Sequence, residues 1–135
     1  MRAEGTFTVE SMTPTEVTPA AEVTTGVGVG VATMLKRYEG AIVGQSATLF
    51  TAAFDQAAGV GTYVAMESFE GTVDGAAGTF NFAHSATTGG TDRRDEFFTI
   101  VPASGTGGLA GITGAGGMAI DDDGTHRIWF DYDLS

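Results

Sequence analysis

Glu67 and His84 are the residues of this chain best suited, by type and placement, to move protons. Glu67 lies in Gly61-Thr-Tyr-Val-Ala-Met-Glu-Ser-Phe-Glu-Gly-Thr-Val73, and His84 closes Gly78-Thr-Phe-Asn-Phe-Ala-His84. Both segments alternate with period two. Tyr63, Ala65, Glu67, Phe69 and Gly71 therefore share one face of a strand, and Phe80, Phe82 and His84 share one face of another. A carboxyl turned toward Tyr63 and Phe69 would be buried, which raises its pKa, whereas a protonated His84 beside it would lower it. A carboxyl poised between those pulls can exchange protons with a bound substrate, and Tyr63 is a candidate donor on the same face. The competing reading is structural: a buried glutamate bonded to a Tyr, Thr or His to hold strand register, beside a satisfied core histidine.

Either reading requires the two segments to pair. Asp74-Gly75 between them is a turn signal, so the stretch Gly61 to Ala86 is expected to form a β-hairpin. With Asp74 to Ala77 as the loop, Glu67 faces His84. With only Asp74 and Gly75 in the turn, Glu67 faces Phe82 and His84 is its diagonal neighbour. A two-residue shift preserves the side, so carboxyl and imidazole stay on one aromatic-lined face in both registers.

Other chemistry-bearing residues are fewer. His126 shares the inward face of the last strand with Ile128, Phe130, Tyr132 and Leu134. If the final strands are joined as antiparallel hairpins, His84 and His126 reach the same rim, together with the Arg93-Arg94 loop. Two histidines and Glu67 could form a metal triad, but no motif spacing supports one, so neither a metal nor a cofactor is expected. Gly26-Val-Gly-Val-Gly30 imitates a dinucleotide loop without the helix that should follow. Asp121-Asp-Asp-Gly124 lacks calcium-loop spacing and reads as a solvated turn. Ser46 lies within a strand and in no Gly-x-Ser-x-Gly elbow, which argues against serine hydrolase chemistry. Trp129 shares its face with Arg127, Asp131 and Asp133, so it is expected to point outward, as a subunit contact in a homodimer or other homo-oligomer.

Composition narrows the class. The net charge is −11, with one lysine (Lys36) and five arginines, so a phosphate-binding surface for nucleic acid is not expected. There are no cysteines, hence no disulfide, thiolate metal site or cysteine nucleophile. The N-terminal segment has no apolar signal-like region, and no run approaches the ~20 apolar residues of a membrane helix. A soluble cytoplasmic protein is the expectation. Glycine is abundant, at 21 residues, without a Gly-X-Y period, which suits turns and bends of a sheet.

Strand-like runs follow one another without helical periodicity. Ala3 to Met12 comes first, with Phe7 and Val9 on one face. A Pro/Thr-rich loop leads to Gly26–Val31, running on through Glu39, and Ala41 to Phe54 follows. After the hairpin come a polar loop, Thr87 to Arg94, and a strand from Asp95 to Val101. Leu109 to Ile120 and Thr125 to Leu134 complete the set. The expected fold is all-β: residues 1–135 as a single eight-stranded antiparallel barrel of up-and-down, lipocalin-like type, which removes sheet edges by closure. A two-sheet sandwich is the alternative.

Four segments resemble a known group. Tyr38-Glu-Gly-Ala-Ile-Val-Gly44, Ala65-Met-Glu-Ser-Phe-Glu-Gly-Thr-Val-Asp-Gly75, Gly78-Thr-Phe-Asn-Phe-Ala-His84 and Val101-Pro-Ala-Ser-Gly-Thr-Gly-Gly-Leu-Ala-Gly-Ile-Thr-Gly114 occur in that order. Together they are similar to small bacterial proteins of unknown function with an allene-oxide-cyclase-like barrel. The resemblance implies a pocket in the barrel lumen, and the wider class includes cofactor-independent cyclases of oxylipin and polyketide pathways. On this reading a small apolar or polyketide-like molecule is the partner, and cyclisation or isomerisation the reaction. Glu67, His84 and Tyr63 would do the chemistry, with Tyr38, Phe69, Phe80, Phe82, Phe98, His126 and Phe130 binding the ligand. A non-catalytic binding barrel, or a structural barrel with a filled interior, are the alternatives.

Overall fold

The alternation on either side of Asp74-Gly75 produces two long strands, β4 (Val60–Val73) and β5 (Ala76–Thr88), joined by that two-residue turn. The computed structural model describes residues 1–90 and 92–134. Thr91, in the expected polar loop, and Ser135 lie outside the described residues. Before the hairpin come β1 (Arg2–Pro14), β2 (Val29–Gly40) and β3 (Ile42–Asp55). After it come β6 (Arg94–Ile100), β7 (Thr113–Ile120) and β8 (His126–Asp133). All eight strands are antiparallel to their neighbours, each pairs with the next in sequence, and β8 returns to β1, so the sheet closes into a ring. The sandwich alternative is thereby excluded. Among the described residues no helix is long and apolar enough to cross a membrane.

Two segments differ from the expected pattern. Within the Gly/Val run, β2 begins only at Val29; Gly26 and Gly28 have no side chain to pack and stay outside the sheet. The run from Leu109 is not strand until Thr113. Gly107 to Leu109 forms a 3-10 turn, which Gly107 and Gly111 permit by taking φ of +60° and +80°. Its consequence is packing: Leu109 and Ile112 are wholly buried and plug one end of the ring.

The inward positions of all eight strands form one interior, and its two ends differ. At the plugged end, Phe69, Phe80, Phe82 and Phe130 pack ring against ring, with centroids 5.1 to 6.4 Å apart. Each is at most 2% exposed, so this half of the lumen is filled. Tyr132 donates to Asp74 Oδ2 at 2.6 Å there and ties the last strand to the hairpin turn. At the other end the wall is uneven. β3 and β4 run 14 residues each, whereas β6 has 7 and β7 and β8 have 8. The long strands overhang the short ones, and the interior opens beneath them. Val9, on the same face as Phe7 as expected, stands with it at this opening and is 40% exposed.

Candidate functional site

Glu67 sits on the inward face of β4, between Thr48 of β3 and Phe82 of β5. The register is thus the one set by a two-residue turn; the pairing of Glu67 with His84 that a longer loop would give does not occur, because Asp74 and Gly75 both take positive φ and complete the reversal alone. Glu67 is fully buried, and four donors surround its carboxylate. Tyr38 Oη and Ser46 Oγ donate to Oε1 at 2.8 and 2.7 Å. Lys36 Nζ and His84 Nε2 reach Oε2 at 2.7 and 2.5 Å. Burial alone would push this carboxyl up, but the His84 bond and the Lys36 charge more than offset it and hold the group below the usual carboxylate range. Glu67 is a carboxylate. Burial first, and then the Glu67 charge, raise the Tyr38 phenol, so it stays a donor.

The direction of the protons follows from the donors available. Arg93 Nη2 donates to Tyr63 Oη at 2.7 Å, since a guanidinium has nothing to accept with. Tyr63 then has its own proton for His84 Nδ1, 2.7 Å away. With Nδ1 accepting, the imidazole proton lies on Nε2 and points at Glu67. His84 is accordingly neutral in this network, in keeping with burial, which holds its pKa below the ordinary value despite the Glu67 contact. Arg93, Tyr63, His84 and Glu67 form one chain of bonds running from the rim into the interior. Phe82 and Phe98 stack on the His84 ring at 5.9 and 5.7 Å and fix its plane.

Tyr63 and His84 line a cavity of about 200 Å³ at the open end. Lys36, Arg93 and His126 line it too, among apolar walls from Phe7, Met34, Phe50 and Met118. A larger hollow of about 400 Å³, bordered by Leu35, Gln45 and Ser68, has none of Lys36, Tyr63, His84 or Arg93 in its wall. The hydroxyl of Thr48, 2% exposed, has no hydrogen-bond partner among the described residues. Among those residues no group of three or more His, Cys, Asp or Glu is placed to hold a metal ion.

The structure therefore joins Glu67, His84 and Tyr63 in one chain of hydrogen bonds, with Tyr38 bonded to the same carboxylate. His126 shares the cavity with His84, as the hairpin order implied, but packs its ring on Phe7 at 5.0 Å and makes no contact with Glu67. Phe98 stacks behind His84. Phe69, Phe80, Phe82 and Phe130 fill the interior beyond Glu67 and do not line this cavity. Lys36 and Ser46 were not legible as participants, and Arg93 only through the rim position of its loop. Lys36 shares a face of β2 with Met34 and Tyr38, and that spacing marks a lone lysine as inward. Ser46 stands on β3 in line with Thr48 and Phe50, and Arg93 lies in a loop, where no periodicity applies.

A family model described as a protein of unknown function, DUF3224, matches residues 3–132. Among solved structures, the chain is similar to a protein of unknown function from that family in Shewanella oneidensis MR-1, with 28% identity and a TM-score of 0.82. The alignment covers 100% of this chain and 98% of the other. No curated protein matches the chain.

Proposed function

This chain belongs to the DUF3224 family of proteins of unknown function, and from that premise we propose that it binds a small molecule in the open end of its barrel and moves a proton on it without a cofactor, as an isomerase or cyclase does. One observation carries the reading. Tyr63, facing the cavity, is hydrogen-bonded to a histidine that is in turn oriented by a buried carboxylate. That order of hydroxyl, base and orienting anion is the general arrangement for activating a weak acid. The resemblance to allene-oxide-cyclase-like barrels supports the same reading at the level of fold.

Burial keeps the Tyr63 phenol protonated at rest. As the phenol oxygen takes a proton from the ligand, its own proton passes to His84 Nδ1. The imidazolium so formed lies against Glu67, while Arg93 steadies the phenol oxygen. Return of the proton to a different ligand atom completes an isomerisation and restores the network. Acid–base assistance of this kind contributes about 10² to 10⁴ in rate. Holding a flexible ligand in one reactive shape adds several kcal/mol, on the order of what pre-orientation supplies.

The non-catalytic binding reading has its own support, because a carboxylate with four donors is also what a satisfied structural network looks like. Proton–deuteron exchange separates the two without knowledge of the product. A panel of small keto and enol compounds is incubated with the protein in D₂O and examined by NMR. Protein-dependent exchange of a carbon-bound proton, lost in Tyr63→Phe and His84→Gln, supports catalysis. Compounds that bind but never exchange leave a binding protein.

A further inference from the structure

We infer that the molecule taken up by this cavity is a small monocarboxylate, its head bound by Lys36, Arg93 and His126 and its apolar body against Met34, Phe50 and Met118. The inference names the ligand class of the acid–base site and rests on that reading.

Charge is the first observation. The protein carries 17 acidic and 6 basic side chains, yet no Asp or Glu lines this cavity. The single lysine, Arg93 and both histidines do. The partner carboxylates, Glu67 and Glu96, lie behind these cations and off the cavity wall, so the face shown to a ligand is made of donors.

Unused donors are the second. Lys36 is 5% exposed and has three protons. One goes to Glu67, and Nζ stands 4.9 Å from the centre of the Phe7 ring. Arg93 directs Nε to Glu96 at the rim and one Nη2 proton to Tyr63, which leaves Nη1 for another acceptor. Neither ring nitrogen of His126 has a hydrogen-bond partner among the described residues. Free donors outnumber free acceptors: both oxygens of Glu67 are saturated and wholly buried, the Tyr63 oxygen accepts from Arg93 and keeps one lone pair, and a neutral His126 offers one ring nitrogen. A ligand that suits this site brings oxygen acceptors and, for charge-assisted bonds, a negative charge. Burial, then the Lys36 and Arg93 charges, hold the His126 imidazole below its ordinary value, so both cations are felt at one place.

Size and walls set the remainder. About 200 Å³ corresponds to roughly seven waters at ~30 Å³ each, enough for a carboxylate with a short chain. A second charge on the ligand would lie against Met34 and Phe50 without a partner, which disfavours dianions. Phe50 also borders an adjoining hollow of about 310 Å³ under the β3–β4 overhang, where a longer tail can continue.

The test uses hexanoate and its neutral counterpart hexanamide, titrated separately into the full-length protein and followed by ¹H–¹⁵N NMR and calorimetry. Hexanoate is expected to bind on the order of tenfold more tightly, with shifts centred on Met34, Arg93 and His126, and to weaken with added salt. His126→Gln, at the half-exposed rim, is expected to reduce hexanoate binding about tenfold and leave hexanamide unchanged. Arg93→Gln provides a second variant with the same expectation. Equal binding of the two compounds at the cavity overturns the carboxylate inference and leaves the acid–base reading standing. Failure of hexanoate to shift any cavity residue also overturns the carboxylate inference, while the acid–base reading stands or falls on the deuterium exchange.

Discussion

Lys36 and His84 bind the same oxygen of one carboxylate: Nζ and Nε2 stand 2.7 and 2.5 Å from Glu67 Oε2, at side chains that are 6%, 3% and 0% exposed. A cation and a neutral imidazole thus share a single acceptor atom inside an apolar interior. The cation supplies the charge balance and the imidazole supplies a proton path to Tyr63.

Glu67→Gln leaves the Lys36 ammonium buried without its anion, and is expected to destabilise the fold by about 3–5 kcal/mol. Lys36→Met strands the carboxylate instead and is expected to cost a similar amount. The double variant removes both charges and is expected to be more stable than either single one. Urea unfolding of all four proteins checks this through the coupling energy; simple additivity would contradict the pairing.

Stability is expected to fall with acid in two stages. The folded His84 imidazole is held below its usual 6.5, so the unfolded chain takes up a proton there that the folded chain refuses. Stability is therefore complete above that value and declines as pH drops below it, until the folded imidazole titrates. The Glu67 carboxyl is depressed from 4.5, so its contribution is complete above 4.5 and is lost as pH falls further. Each stage has a limiting slope of about 1.4 kcal/mol per pH unit per group. His84→Gln should flatten the upper stage in unfolding curves from about pH 8 to about pH 4, leaving only the share that His126, also held low, contributes.

Tyr63→Phe keeps the ring that stacks on Phe50 at 5.2 Å but leaves His84 Nδ1 without its donor. A loss of about 1–3 kcal/mol is expected from the unsatisfied nitrogen. In the unaltered protein, long-range ¹H–¹⁵N spectra should show His84 protonated on Nε2 with Nδ1 as acceptor. A proton on Nδ1 would reverse the derived direction of the network.

Gly71→Ala tests the filled half of the ring. A Cβ there would collide with the Val43 carbonyl oxygen and stand 2.8 Å from Gly44 Cα, both backbone atoms that cannot turn aside. The paired glycines let β3 and β4 approach closely beside Phe69. A loss of about 3 kcal/mol is expected, read as a lowered melting temperature. An unchanged melting temperature would show that the strands can part there at little cost.

Strand periodicity alone was enough to place Tyr63, Glu67 and Phe69 on one face and Phe82 and His84 on the facing one, because side-chain direction alternates along an extended backbone whatever it packs against. It also implied that β8 brings His126 to the His84 rim, since hairpin connections alternate strand direction. Closure could be anticipated from the count of strands. The ownership of the Glu67 carboxylate could not. Lys36 and Ser46 come from strands distant in sequence and Arg93 from a loop, and their convergence depends on ring register and stagger, to which no local pattern responds. Which aromatics fill the lumen and which border the cavity was likewise decided in three dimensions. Unequal strand lengths and the Leu109–Ile112 plug determine where the interior is packed and where it opens.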